Sequence, residues 1–313
     1  MFLRTTCILF VVLFASVGAA QGQTKDALDM FADNLAAWKT PHGEWAEVAG
    51  VEVDPTNAKK FVAKEGKGIW YNGIKGRAAN LYSKQKFADV EVHLEFNMPK
   101  GSNSGIKFHG HYEIQLCDSF GKKEVTGQDC GGIYPRAELK PKYHHIDKGI
   151  APRVNACKAP GEWQTLEAIF IAPRFDKDGK KIKNAMIAKA VLNGQVIHDK
   201  QELLTPTGNL WQSKEMFEGP LMLQADHGPV AFRNMKVRAL NEELLTEPRA
   251  PAPRPRSRPR RLAAPSCGGD DNDARRPAPG RSRVTPSSTD AQLPCDDVGH
   301  SCFACYSAAN GRR

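Results

Sequence analysis

Apolar and polar residues alternate with period two through most of residues 45–240. The clearest case is residues 88–98, where Val90, Val92, Leu94 and Phe96 interleave with Asp89, Glu91, His93 and Glu95. Strand side chains point to opposite faces in turn, so the pattern predicts an antiparallel strand with one buried and one wet face. Residues 111–117 repeat it, with Tyr112, Ile114 and Leu116 on one face and His111, Glu113, Gln115 and Cys117 on the other. Shorter runs at 48–53, 61–62, 68–71, 79–83 and 106–109 read as further strands, broken by Gly, Pro and Asn. Downstream strands are predicted at 162–173, 186–192, 195–198, 221–226 and 230–240, with Asn193-Gly194 as a hairpin turn. Strands recurring every ~8–12 residues, with almost no helix, predict an all-β sandwich.

Two segments break the pattern. Residues 26–38 place Leu28, Phe31, Leu35 and Trp38 at the spacing of a short amphipathic helix, although Asp33-Asn34 suits a turn equally well. Residues 137–160, with several prolines and the doublet His144-His145, predict a long surface loop, and such loops are often functional.

The stretch 102–136 concentrates the candidate chemistry. Asn103-Ser104-Gly105 reads as a tight polar turn, and a glycine-rich loop follows Asp118 and returns at Gly131-Gly132-Ile133-Tyr134. Between them one strand face carries Glu113 beside Gln115. Burying a carboxylate without a partner costs several kcal/mol, so this face is open to water or lines a polar cleft.

Composition adds three constraints. Arg4, the apolar run 7–17 and the small residues Gly18-Ala19-Ala20 form a basic, apolar, small-residue order that predicts a secretory signal over residues 1–20. The expected location is therefore secreted or periplasmic, and the apolar run is too short to span a bilayer. The formal charge of +9 sits mostly outside the alternating region, because from Glu247 onward there are twelve arginines, no lysine and seven acidic residues. The remainder is nearly neutral and has no basic stripe interleaved with aromatics, so nucleic acid is not an expected partner. The Pro/Arg-rich tail, residues 247–313, is expected to be disordered, which leaves 24–246 as the folded domain. Cys302 and Cys305, with Cys267 and Cys295 upstream, do not match paired zinc-ligand spacing.

Six pieces in order carry a family resemblance: NSGI, YEIQLCDS, CGGIYP, PRVNACKAPGEWQTLEAIFIAPRFD, LNGQVIHD and GPLMLQADHGPVAFRNMKVR. Together with FADNLAAW and LYSKQKFADVEVHLEF, the region 28–240 resembles the 3-keto-disaccharide hydrolase family. The resemblance implies a concanavalin-A-like jelly roll of two packed antiparallel sheets. It also implies exported proteins acting on di- or oligosaccharides already oxidised to a ketone at sugar carbon 3. Such a ketone acidifies the C2 hydrogen, so a general base can remove it, and the C1 group then leaves by elimination, with or without rehydration.

On that reading Glu113 is the candidate base, Gln115 a donor to substrate oxygen and His227 an acid. Asp118, Tyr134 and Arg233 complete a polar set for substrate. Asn155 and Gln164 match the family pattern without an assigned role. The resemblance fixes no cofactor, and a divalent ion held by Asp226 and His227 stays an open alternative. His109 and His111 depart from the expected pattern; two histidines at period two share a face and read as sugar contacts or a metal pair. In an exported protein Cys117–Cys130 is the expected disulfide, spanning the glycine-rich loop. The competing reading is a non-catalytic carbohydrate-binding module on the same jelly roll, with some of the five tryptophans stacking on sugar. A purely structural domain that binds no sugar is the third.

Overall fold

The computed structural model describes residues 27–39 and 44–241. The chain divides into units Met1–Leu240 and Asn241–Arg313, and the described residues up to Leu240 belong to the first. The expected leader, the Pro/Arg tail and its cysteines lie outside the described residues.

The expected two-sheet architecture is present, and every strand pairing in it is antiparallel. The larger sheet runs, in spatial order, Gln195–Leu203, Ala185–Leu192, Gln164–Ile171, Val90–Asn97, Ala231–Ala239, Asn57–Tyr71 and Ala46–Asp54. Leu28–Asp29 pairs beside Ala231–Ala239. The smaller sheet runs Leu81–Phe87, Gly219–Leu223, Asn103–Phe108 and Tyr112–Cys117. This is the jelly-roll sandwich.

The alternation of the Val90–Asn97 strand is realised: Val90, Val92, Leu94 and Phe96 are fully buried, while Glu91, His93 and Glu95 lie on the outer face. The smaller sheet sends Ile106, Phe108, Tyr112, Ile114 and Leu116 into the same core. Phe108 from the small sheet stacks on Phe170 from the large one, with ring centroids 4.9 Å apart and planes 9° from parallel. That contact joins the layers. Phe170→Ala should therefore cost about 3–5 kcal/mol, the usual size of a phenylalanine cavity. Chemical denaturation is the measurement, and a loss under about 1 kcal/mol would show that the two layers are held elsewhere.

Three local expectations change. Asp33, Asn34 and Leu35 have φ of 49°, 56° and 63°, so residues 26–38 contain a left-handed turn rather than an amphipathic helix. Asp and Asn tolerate that region best, which is why the turn forms there. The runs at 61–62 and 68–71 belong to one strand, Asn57–Tyr71, because Gly66 and Gly68 (φ 140° and 105°) form a bulge instead of a break: Val48 faces both Glu65 and Ile69. Asn103 to Gly105 is not a turn but the start of the Asn103–Phe108 strand. The segment after Arg136 is irregular as expected, apart from a two-stranded ribbon of Ala137–Glu138 with His144–His145. The Asn193-Gly194 hairpin forms as predicted, with both residues at positive φ.

Candidate active site

The hairpin between Phe108 and Tyr112 sets the site, because a turn of three residues fixes which side chains face each other. Its register places Lys107 opposite Glu113 and Gly105 opposite Gln115. On the other side Met222 lies opposite both Lys107 and Tyr82. The Tyr134 N–H donates to the Glu113 carbonyl at 3.2 Å, which extends the line by one more chain segment. Directly opposed residues share a sheet face. Tyr82, Met222, Lys107, Glu113 and Tyr134 therefore form one row across the face that points away from the core. A second row holds Gln224, Gly105, Gln115 and Gly132, joined by backbone bonds of 2.9 Å (Gln224 to Gly105) and 2.8 Å (Gln115 to Gly132).

At the centre the Lys107 ammonium lies 3.0 Å from a Glu113 carboxylate oxygen, with side-chain exposures of 14 % and 3 %. Burial pulls the lysine down, but the adjacent carboxylate outweighs it and holds Lys107 above its ordinary value; Tyr82 and Tyr143 add smaller effects in the same direction. The lysine is thus charged at neutral pH. Gly105 makes room for it: a Cβ at this position would stand 2.3 Å from Glu113 Oε1. Gln115 Nε2 donates to Asn103 Oδ1 at 3.1 Å. Gln115 Oε1 and Gln224 Oε1 are buried with no hydrogen-bond partner among the described residues. Two unsatisfied carbonyl acceptors on the row next to a buried ion pair are costly in a plain structural face. They suit a ligand rich in hydroxyl donors.

The rim comes from loops. The Tyr134 hydroxyl is 3.1 Å from that of Tyr143 and 2.9 Å from His145 Nε2, a ring of donors and acceptors beside Glu113. Thr207 Oγ1 accepts the Glu113 N–H at 3.1 Å and pins the neighbouring loop to the same strand. Trp211, on that loop, lies under the Arg136 guanidinium at 5.2 Å. Trp38 and Trp70 are core residues. At the other end His227 Nδ1 and Asp226 Oδ1 are 2.6 Å apart and more than two-fifths exposed. Burial would raise the Asp226 carboxyl, but the His227 contact, aided by Lys107, holds it below the usual range.

Of the expected site residues, the structure brings Glu113, Gln115 and Tyr134 together, with Asp226, His227 and His111 near the rim. The Lys107 charge reaches His111, whose imidazole is pulled down by burial first and by that lysine second. Three expectations need correcting. His109 does not share a face with His111, since His109 and Gly110 both have positive φ and period two ends there. Its ring packs on Phe170 at 4.9 Å, on the core side, with Nε2 3.3 Å from the Ala88 carbonyl. Asp118 is a turn former, accepting the N–H groups of Gly101 at 2.9 Å and Phe120 at 3.3 Å. Arg233 pairs with Glu95 at 2.7 Å and covers the Trp163 ring at 3.9 Å, on the outer face of the larger sheet. It is therefore separated from Glu113 by the whole core.

The expected Cys117–Cys130 disulfide is absent: Cys117, Cys130 and Cys157 are all unbridged. Among the described residues no three His, Cys, Asp or Glu side chains gather in a form that could hold a metal ion. Asp226 and His227 bond each other and remain two ligands at most. No helix among the described residues is long and apolar enough to cross a membrane. Lys107 was not among the expected residues, although the short hairpin length would have placed it opposite Glu113.

The jelly-roll fold, with the family and neighbour given next, makes this a carbohydrate-active protein of the glycosyl hydrolase or lyase kind. The sequence profile of the 3-keto-alpha-glucoside-1,2-lyase-like domain matches residues 26–238, and the chain belongs to that family. Among solved structures it is similar to a candidate glycosyl hydrolase from Parabacteroides distasonis, at 28% identity and a TM-score of 0.51, over 69% of this chain and 84% of that one. A second candidate glycosyl hydrolase from that organism gives 19% identity, a TM-score of 0.39, and 63% and 100% coverage. An endo-beta-1,4-glucuronan lyase from Trichoderma reesei gives 9% identity, a TM-score of 0.33, and 66% and 92% coverage. Those two likenesses are too remote to bear on this chain. No curated protein matches it.

Proposed function

We propose that the chain cleaves glycosides whose sugar carries a ketone at carbon 3, by removing the C2 proton and eliminating the C1 substituent. The observation that carries this reading is the buried Glu113–Lys107 pair beside a row with two unpartnered amide oxygens; family membership supports it. Glu113, beside the Lys107 ammonium, is the group placed to accept the proton. The C2–H electrons form the C1=C2 bond as the C1–O bond breaks, and the C3 oxygen carries negative charge in passing. An ammonium on the same row opposes that charge where water is scarce. Gln115 and Gln224 accept sugar hydroxyl protons and orient the ring. The Tyr134 hydroxyl, backed by Tyr143 and His145, faces the departing oxygen and can return a proton to it. Water adding to the unsaturated product would complete a hydrolysis. The expected leader assigns this chemistry to an exported protein.

The test is release of the leaving sugar by the full chain from a 3-keto-disaccharide and from its unoxidised parent. Release from the keto sugar alone is the expected result. Release from both would replace elimination with ordinary glycoside hydrolysis. Saturable binding without release would leave a carbohydrate-binding module.

A further inference from the structure

Past Tyr134 the rim continues into residues that the chemistry above does not use. From Ile133 to Ala137 burial alternates: Ile133, Pro135 and Ala137 are buried, while Tyr134 and Arg136 are half-buried. Period two therefore sets Arg136 beside Tyr134 on the open side of the segment. The neighbouring loop fixes both. The Ala137 N–H donates to the Gly208 carbonyl at 3.0 Å and the Gly208 N–H to the Pro135 carbonyl at 2.9 Å, so Arg136 and Gly208 pair in parallel. Gly208 has φ 61°, and a Cβ there would stand 3.9 Å from Tyr134 Cδ1, so the tyrosine ring lies against this glycine. The following turn, closed by the Trp211 N–H on the Gly208 carbonyl at 3.4 Å, brings the indole to the Arg136 guanidinium, 5.2 Å from the ring centroid. Tyr134, Arg136 and Trp211 thus meet around one glycine.

The guanidinium is held in one orientation. Asp147 accepts the Arg136 backbone N–H at 3.2 Å and its Nε–H at 2.6 Å, and the Gly149 N–H reaches the same carboxylate at 2.8 Å. Burial would raise the Asp147 carboxyl, but the Arg136 and Gly149 contacts hold it below the usual range, so at neutral pH it is charged and offsets the arginine. Neither Nη group of Arg136 hydrogen-bonds a described residue, and the side chain is 40% exposed. A planar cation anchored through Nε and stacked on an indole presents its remaining donors in fixed directions.

We propose that Arg136 and Trp211 form the subsite for the leaving unit, and that this unit is a second, uncharged sugar ring. The assignment rests on the reading of Tyr134 as donor to the departing oxygen, because that oxygen then sits at the boundary between the Glu113 groove and the Arg136–Trp211 shelf. The Nη groups donate to ring hydroxyl oxygens, and the indole packs against the C–H side of the sugar. A carboxylate on the leaving unit would gain little, since Asp147 already offsets the arginine. A flat aromatic substituent would stack but leave the Nη donors without acceptors.

The experiment titrates the full chain, by calorimetry, with methyl α-glucoside, with p-nitrophenyl α-glucoside and with three glucosyl-glucoses of different linkage: maltose, nigerose and trehalose. The tightest disaccharide is expected to bind about 10-fold or more tightly than methyl α-glucoside, the size of one good tryptophan or arginine contact. Trp211→Ala and Arg136→Met should each erase most of that difference while leaving the methyl α-glucoside affinity within about 2-fold. Three results would overturn the subsite: disaccharides binding no better than methyl α-glucoside, the nitrophenyl glucoside binding as tightly as the best disaccharide, or both variants weakening every ligand alike, which is the mark of a structural role. None of these ligands carries a ketone, so the titration is independent of the elimination chemistry. Selective disaccharide binding without cleavage of a keto sugar would sink that chemistry and leave the subsite, and cleavage without selective binding would do the reverse.

Discussion

Glu113→Gln is expected to slow release of the leaving sugar from a 3-keto-disaccharide by about 10²–10⁴-fold, the size of a lost general base. It should also destabilise the fold. Glu113 and Lys107 are both largely withdrawn from water, and removing one partner leaves the other charge uncompensated, which costs about 3–5 kcal/mol. A fall in activity alone would therefore be ambiguous. Adding Lys107→Met resolves it, because replacing a buried ion pair by groups without charge is often close to neutral for stability. The double variant should unfold near the wild-type denaturant midpoint and still fail to turn over the keto sugar. Initial rates, read beside denaturation curves, check both halves. If Glu113→Gln keeps activity within a few-fold of wild type, the base lies elsewhere on the groove, with the Asp226–His227 pair the next to examine.

How much of this could be read from the chain follows from the range of the interactions involved. Strand identity and facing are local, so Val90 to Phe96 and Tyr112 to Leu116 were legible from period two alone. The same rule put Glu113 and Gln115 side by side on the polar face. It failed at His109, where positive φ in the turn sends the imidazole to the core side. Arg233 and Asp118 failed for a different reason. Both are polar residues inside family-like motifs, but their roles depend on partners that only the fold supplies, Glu95 and Trp163 for one and Gly101 for the other. Lys107 lies between these cases. Its partner is six residues away, and counting back from the tip of the hairpin would have found it. Cys117 and Cys130 suited a bridge by spacing, yet both are unbridged, because spacing along the chain does not decide how two side chains are aimed.

Gly105→Ala is expected to cost about 10²-fold in turnover while leaving the protein folded. Gly105 has an ordinary backbone conformation, so alanine brings no strain of its own. The difficulty is space. The new Cβ would lie 2.3 Å from Glu113 Oε1 and 3.1 Å from Cδ and Cγ of the same side chain. No other atom is as close, and the obstacle is the free end of a side chain, which can swing aside. Overpacking of this kind costs about 1–3 kcal/mol, so the variant should stay folded at room temperature. The swing moves the carboxylate by about 1 Å relative to Lys107 and the amide row, and a displacement of that size is enough to lose about two orders of magnitude in rate. Gly132→Ala provides the contrast. Its Cβ would meet the Gly127 backbone, with the carbonyl oxygen at 2.5 Å and Cα at 2.7 Å, neither of which can rotate away. That variant should lose stability first and activity only as a consequence. Rates corrected for the folded fraction separate the two: Gly105→Ala low per folded molecule, Gly132→Ala near wild type. Full turnover in folded Gly105→Ala would mean that the placement of the Glu113 carboxylate does not govern the reaction, even though the ion pair is built around the space this glycine leaves.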